Sequence, residues 1–326
     1  MTSSFLVRNI FGSNPSTPGT LADPETKRMQ PGTMTQETTA PESPTIRPLR
    51  RRRILFCGKG GSGKSTLAAL MADVLQRKGY EVMVLDGDAS NPEGLVRLLF
   101  GVGVQEEPKP LIEFFGGIDR VTCPVDDPRP LTRIGDTDPI TSRRIRLSEE
   151  IGPEYYLQRG RLRLLQAGKI ETYGQGCDGP LEKVVRDFMV EDDCVSLIDE
   201  KAGVEHFGRR IPDLMDVILS VLDCTRESVS IARRITGFAD TIGRDNIWLM
   251  LNKVESGEMA DRMMRLLGDL AGRVIGSIPY QPDLVSAALA GRSLEGHPAF
   301  QAVEPIVHRL EHIASQVDPR PSDRIG

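Results

Sequence analysis

The chain has 326 residues, 39% hydrophobic and 27% charged, with 41 Lys and Arg against 46 Asp and Glu for a formal net charge of -5. That composition supplies a sizeable core and excludes a wholly disordered chain, and the length accommodates one large domain with a tail or two domains. No apolar run approaches the ~20 residues of a membrane-spanning helix, and five scattered cysteines form no disulfide framework, so a reducing, cytoplasmic setting is expected.

Residues 1–50 contain 24 Ser, Thr, Pro and Gly. So little apolar surface cannot offset the entropy of ordering, and residues 1–52 are expected to form a disordered tail. Residues 1–53 carry eight basic and four acidic side chains, leaving 33 basic and 42 acidic in the remainder. An acidic body argues against general nucleic-acid binding, where phosphate contacts dominate affinity. The run Arg50-Arg51-Arg52-Arg53 reads either as a contact for an anionic surface or as solvated charge leading into the first strand. Phe5–Phe11 reads as a short anchor or targeting piece, too interrupted for a secretory signal. A translation start at Met29 or Met34 would also account for the tail.

Periodicity begins at Ile54. Ile54–Cys57 is a short apolar run that ends at glycines, and Leu67, Leu70, Met71, Val74 and Leu75 recur at helical spacing until Gly79. Further apolar runs follow at Val82–Leu85, Leu162–Ala167, Cys194–Ile198, Val217–Leu222, Ile247–Leu251 and Val274–Ile278. A helix capped by Thr225 is expected to bury Ile231, Ile235, Phe238 and Ile242 on one face. The last helical stretch, Phe300–Val317, is expected to be broken at Pro305. Short strands alternating with amphipathic helices predict an α/β fold: a mostly parallel twisted sheet with helices on both faces, whose chemistry sits at the carboxyl ends of the strands. Residues 101–165 are Pro- and Gly-rich and read as an irregular insertion in a single domain spanning 53–315, with 316–326 a flexible end.

Gly58-Lys59-Gly60-Gly61-Ser62-Gly63-Lys64-Ser65-Thr66 joins the first strand to the first helix and fits G-x-x-x-x-G-K-[ST]. Its glycines let backbone N–H groups turn toward phosphate oxygens at a helix N-terminus. Gly60, Gly61, Ser62, Gly63 and Thr66 would cradle the phosphates, Lys64 would reach the β- and γ-phosphates, and the Ser65 hydroxyl would ligate Mg²⁺. The plain pattern does not require Lys59.

With that extra lysine the loop resembles Lys-Gly-Gly-x-Gly-Lys-[Ser/Thr] of the MinD, ParA and nitrogenase iron protein class of ATPases. The resemblance runs from about residue 53 to about residue 314. It implies ATP hydrolysis by a P-loop ATPase that forms a homodimer, with Lys59 acting on the partner's nucleotide as an arginine finger does. Asp86-Gly87-Asp88-Ala89-Ser90-Asn91 is a turn cap by itself; beside this loop it is similar to the class's first switch. There Asp88 would orient the attacking water and Asp86 would lie near Mg²⁺. Cys194–Asp199 is an apolar strand ending in an acid, and Asp199 would hold Mg²⁺ through a water. Asn252 and the Ile278-Pro279-Tyr280 loop are similar to the class's adenine-binding residues.

Ala202-Gly203-Val204-Glu205-His206-Phe207-Gly208-Arg209 is similar to the narrower CooC group, ATPases that mature the nickel site of carbon monoxide dehydrogenase. Lys201 departs from the acid expected there. Gly174-Gln175-Gly176-Cys177-Asp178-Gly179-Pro180 is similar to the group's Gly-x-Gly-Cys-x-Cys-Pro, whose cysteines form a metal site at the dimer interface. Gly179 replaces the second cysteine. Two copies of Cys177 give two thiolates, short of the four ligands that zinc or nickel prefers, so this loop reads either as an interface metal site or as a partner-facing loop that lost one. Cys57, Cys194 and Cys224 read as core, and Cys123 has no spaced partner. The group implies a metalloenzyme client and ATP, Mg²⁺ and Ni²⁺ or Zn²⁺. The alternatives are a MinD- or ParA-like positioning ATPase, with only the arginine run in its favour, and a nucleotide-binding protein without a metal role.

Overall fold

A computed structural model describes residues 47–140 and 144–316. The Ser/Thr/Pro/Gly-rich tail to residue 46, with Phe5–Phe11, Met29 and Met34, and the end beyond Gln316 lie outside the described residues. In chain order the elements are β1 (Arg53–Gly58), α1 (Lys64–Arg77), β2 (Glu81–Asp86), α2 (Gly94–Phe100), α3 (Leu111–Phe114), α4 (Leu147–Glu150), β3 (Leu157–Arg159) and β4 (Leu162–Gln166). They continue with α5 (Gly179–Asp187), β5 (Cys194–Asp199), α6 (Glu205–Gly208), β6 (Val217–Leu222), α7 (Arg226–Thr241), β7 (Ile247–Val254), α8 (Gly257–Leu267), β8 (Val274–Pro279), α9 (Pro282–Leu289) and α10 (Phe300–Gln316).

The strands form one eight-stranded sheet in the order β3-β4-β2-β5-β1-β6-β7-β8. Every pairing is parallel except that of the edge strand β3 with β4. β3 is three residues long, too short for its pattern to register in the sequence. β1 lies between β5 and β6, so the chain leaves it in one direction first and later returns on the other side. That reversal opens a crevice at the carboxyl end of β1.

Alternation along the strands divides the core in two. Ile54 and Phe56 face α1, α2 and α10, whereas Leu55 and Cys57 face α5, α7, α8 and the insertion. The insertion contributes Leu111, Ile112, Phe115, Val121, Leu131, Ile140 and Ile145 to that second layer, all buried. Its apolar residues follow no regular period because most of its backbone is loop.

Two helices differ from the sequence expectation. In α7, Thr225 accepts the Ser228 backbone N–H as its cap at 3.3 Å, but the buried stripe is Val229, Ala232, Ile235 and Ala239. Phe238 and Ile242 are exposed. The inward stripe alternates Val229 and Ile235 with the small Ala232 and Ala239, with Ile231 packed partly buried at its edge, so that Phe238 and Ile242 fall outside it. α10 runs unbroken through Pro305. Pro305 is on the solvent side, where the carbonyl left without a donor is open to solvent, while Val303, Ile306, Val307, Leu310 and Ala314 pack inward.

The arginine run is built into the domain. Arg50 and Arg51 pair with Asp193, and Arg52 with Asp216 at 3.4 Å. Arg53 is buried and donates to the carbonyls of Val185 at 2.9 Å, Arg186 at 3.2 Å and Leu214 at 3.1 Å. No described helix is long and apolar enough to cross a membrane.

Candidate functional site

The glycine loop lies at the crevice beyond β1. Gly58, Gly61 and Gly63 have φ of 128°, 74° and 98°, a region closed to most L residues. A Cβ on Gly58 would stand 2.5 Å from the Val221 carbonyl oxygen. The loop is braced from β7: Asn252 donates to the Ser62 carbonyl at 2.8 Å and Lys253 to the Gly61 carbonyl at 2.7 Å. Lys253 has φ of 59° and was not singled out in the sequence; no contiguous motif marks it. Pro279 and Tyr280 follow on β8, beside the end of β7, with Tyr280 exposed.

Lys64 is buried at the start of α1 and donates to the Lys59 carbonyl at 3.3 Å. Lys59 points toward β6, where it meets Asp223 at 3.0 Å, Thr225 at 3.5 Å and Glu227 at 3.4 Å. Its hydrogen bond to the Asp223 carboxylate is the main cause that raises its pKa.

Three carboxylates gather across the loop. Asp199 ends β5, fully buried, and burial together with the neighbouring Asp86 pushes its pKa up to about 7, against the pull of the Ser65 hydroxyl and Lys64. One of its oxygens, Oδ1, has no hydrogen-bond partner. The Ser62 hydroxyl is buried and unpartnered too. Buried polar atoms without partners next to a glycine loop fit a site that takes a polar ligand, ion or water, and a serine hydroxyl with a carboxylate is a donor set that suits Mg²⁺. Asp86 is buried against Lys169 at 2.8 Å; burial raises its pKa and Lys169 opposes the rise. Asp88 is half-buried, and its Oδ1 accepts the Ser90 hydroxyl at 2.6 Å. Asn91 turns back to accept the Gly94 N–H at 3.1 Å.

The segment after β5 is joined to the loop: Glu200 N–H donates to the Phe56 carbonyl at 3.3 Å and Gly203 N–H to the Gly58 carbonyl at 3.2 Å. Lys201, the departure from the expected acid, has partners of its own. It pairs with Asp178 and, at 2.6 Å, with Glu182 of α5; Arg209 joins both, reaching Asp178 at 2.8 Å. Burial opposes ionisation of Asp178, but the two cations outweigh it and hold its carboxyl below the usual range. His206 is fully buried with neither ring nitrogen hydrogen-bonded, and burial lowers its pKa to about 3.

Cys177 is exposed on the loop before α5. Cys123, read in the sequence as partnerless, packs on that loop's end: a Cβ on Gly179 would lie 2.6 Å from its Sγ. The thiol of residue 123 therefore fills the space a second cysteine at 179 would need. Cys57 and Cys194 are core residues whose burial pushes their thiols up to about 12. Among the described residues no single-chain group of three or more His, Cys, Asp or Glu is arranged to hold a metal ion.

A parallel sheet with a glycine loop and lysine at the β1–α1 turn defines a P-loop nucleotide-binding fold. Residues 54–294 match the CobQ/CobB/MinD/ParA nucleotide binding domain, and the chain belongs to that family. It is 30% identical over 247 residues to an uncharacterized ATP-binding protein of Methanocaldococcus jannaschii, covering 74% of this chain and 93% of that one. It is 29% identical over 250 residues to the carbon monoxide dehydrogenase accessory protein CooC of Rhodospirillum rubrum, covering 74% and 88% respectively. Among solved structures, the septum site-determining protein MinD of Pyrococcus horikoshii, complexed with Mg-ADP, matches with a TM-score of 0.55 at 16% identity over 81% of this chain and 98% of that one. That likeness is one of fold.

Proposed function

We propose that this protein is an ATP-hydrolysing switch in the cytoplasm that dimerises on ATP and assists metal insertion into a partner metalloenzyme, as a CooC-like accessory protein would. The observation that carries the reading is the junction of the glycine loop with the segment after β5 through Gly58 and Gly203, in a chain 29% identical to a protein of that name over most of both lengths. Nucleotide binding at this loop would be felt directly by the surface around Lys201 and Arg209.

In this reading Gly60, Gly61, Ser62, Gly63 and Thr66 hold the phosphates with their backbone, and Lys64 leaves the Lys59 carbonyl for the β- and γ-phosphate oxygens. Ser65, with Asp199 and Asp86 behind it, would hold Mg²⁺, which when bound neutralises phosphate charge. Asp88 orients the water for attack on the γ-phosphorus, yielding ADP and phosphate. Lys59 leaves Asp223 to reach the nucleotide of a second copy. Asn252, Pro279 and Tyr280 line the side where the base would lie. Cys177 of two copies would meet a thiophilic ion such as Ni²⁺ or Zn²⁺, with Cys123 as the nearby second thiol of each chain.

The test is the mass of the purified protein with and without ATP and Mg²⁺, with metal content read on the same fractions. An ATP-dependent dimer holding about one metal ion per two chains is the expected result. Loss of that metal in Cys177→Ser would place it at the loop. Lys64→Ala should lower ATP hydrolysis about 10³-fold; retained hydrolysis would refute the site. The MinD- or ParA-like alternative keeps its fold neighbours, but the arginine run that favoured it is bound by Asp193, Asp216 and main-chain carbonyls.

A further inference from the structure

The loop between β4 and α5 is tied at its two ends to opposite sides of the candidate site. At its start, Lys169 is almost wholly buried and donates to Asp86 Oδ2 and to the Asp88 carbonyl, each at 2.8 Å. The next residue, Ile170, donates its N–H to the Ala89 carbonyl at 3.1 Å. At its end, Asp178 and Glu182 receive Lys201 and Arg209 from the segment after β5. Between the ends the loop is closed on itself. Gln175 Oε1 accepts from the N–H groups of Glu171 at 2.7 Å and Thr172 at 3.1 Å, and its amide donates to the Lys169 carbonyl at 3.4 Å. Its outer face presents Ile170, Tyr173 and Cys177 to solvent.

A loop cross-linked inside and anchored to two separate segments moves with them. Half-buried ion pairs are short-ranged and strongly directional, so displacing Lys201 while Asp178 stays in place leaves charge unpaired. The loop must follow or the pairs must break.

We propose that residues 168–178 form a relay between the nucleotide and the exposed thiol: Lys169 couples the loop to Asp86 and Asp88, Lys201 and Arg209 couple it to the segment joined to Gly58, and the accessibility of Cys177 follows the nucleotide state. This regulation rests on the nucleotide-switch reading above. Lys169 and Lys201 act in it as positioning residues.

Cys177 supplies the readout. Its alkylation by a maleimide is followed by peptide mass mapping, with buried Cys57 and Cys194 as internal references, with and without Mg²⁺ and a non-hydrolysable ATP analogue. Nucleotide binding, oligomeric mass and melting temperature are measured on the same samples. In the wild type the alkylation rate should change by about fivefold or more on nucleotide binding. Lys201→Met and Lys169→Met should each cut that change to below about twofold, whereas Lys201→Arg, which keeps the charge, should preserve it. Nucleotide binding with an unmoved Cys177 rate in the wild type overturns the relay, as does a full response in both methionine variants. If the wild type binds no nucleotide, the switch reading itself fails and the relay falls with it.

Discussion

At the scale of single residues, His206 carries the clearest electrostatic consequence. Its buried ring has two unpartnered nitrogens and a pKa lowered to about 3. The fold keeps it neutral, while the unfolded chain takes up a proton below its ordinary value of 6.5. Its contribution to stability is therefore fully present above that value and is lost as pH falls toward about 3, at up to about 1.4 kcal/mol per pH unit. Urea unfolding of His206→Leu should show less loss on acidification than the wild type; the difference between the two curves isolates this group from Asp199 and Glu200, whose raised pKa values act in the opposite direction. Gly179 gives a steric prediction. With Cys123 Sγ 2.6 Å from the position of a Cβ, Gly179→Ala should destabilise by about 1–3 kcal/mol, and the loss should shrink in a Cys123→Gly background. The glycine loop and the acids at 86, 88 and 199 were legible because each is a contiguous run of a few residues. The pairing of Lys169 with Asp86, 83 positions apart, was not, since nothing local marks a side chain whose partner ends another strand.

At the scale of elements, the seven parallel strands were readable because each is a short apolar run that both faces of the sheet bury, whereas the three-residue, partly exposed edge strand β3 was not. In α7 half of the expected face holds: Ile235 is buried and Ile231 packs partly buried on the core, but Phe238 and Ile242 are exposed. Apolar bulk pointed to Phe238 and Ile242, whereas the inward stripe takes Ala232 and Ala239. The difference is measurable. Ile235→Ala should destabilise by about 2–5 kcal/mol, while Ile242→Ser should stay within about 0.5 kcal/mol of the wild type in the same denaturant titration. Phe238 and Ile242 instead line a groove of about 710 Å³ with Val204 and Phe207, beside the segment that carries Lys201. The insertion escaped any periodic reading, yet it supplies a continuous apolar layer against α5. Irregular backbone buries side chains as effectively as helices do, but without a repeat to announce it.

At the scale of the whole molecule, the sheet order places the glycine loop, Asp86, Asp199 and Asn252 along one carboxyl edge, with the arginine-bound start of β1 at the other. Lys59 stays with Asp223 and Glu227 of its own chain, so the proposed dimer must exchange those partners for the phosphates of a second copy. Lys59→Met should bind nucleotide within about threefold of the wild type yet remain monomeric with ATP and Mg²⁺, as read by light scattering. A dimer in that variant would remove Lys59 from the proposed interface.

The junction of Gly203 with Gly58 has a further use. The Gly203 N–H is held by one carbonyl of the strand that leads into the glycine loop, at 3.2 Å, and amides protected by a single hydrogen bond exchange with solvent only when it opens. The deuterium uptake of that one amide thus clocks how often the segment after β5 lifts from the loop. Comparing the clock without nucleotide, with the ATP analogue and with ADP would order the states of the cycle without any client protein.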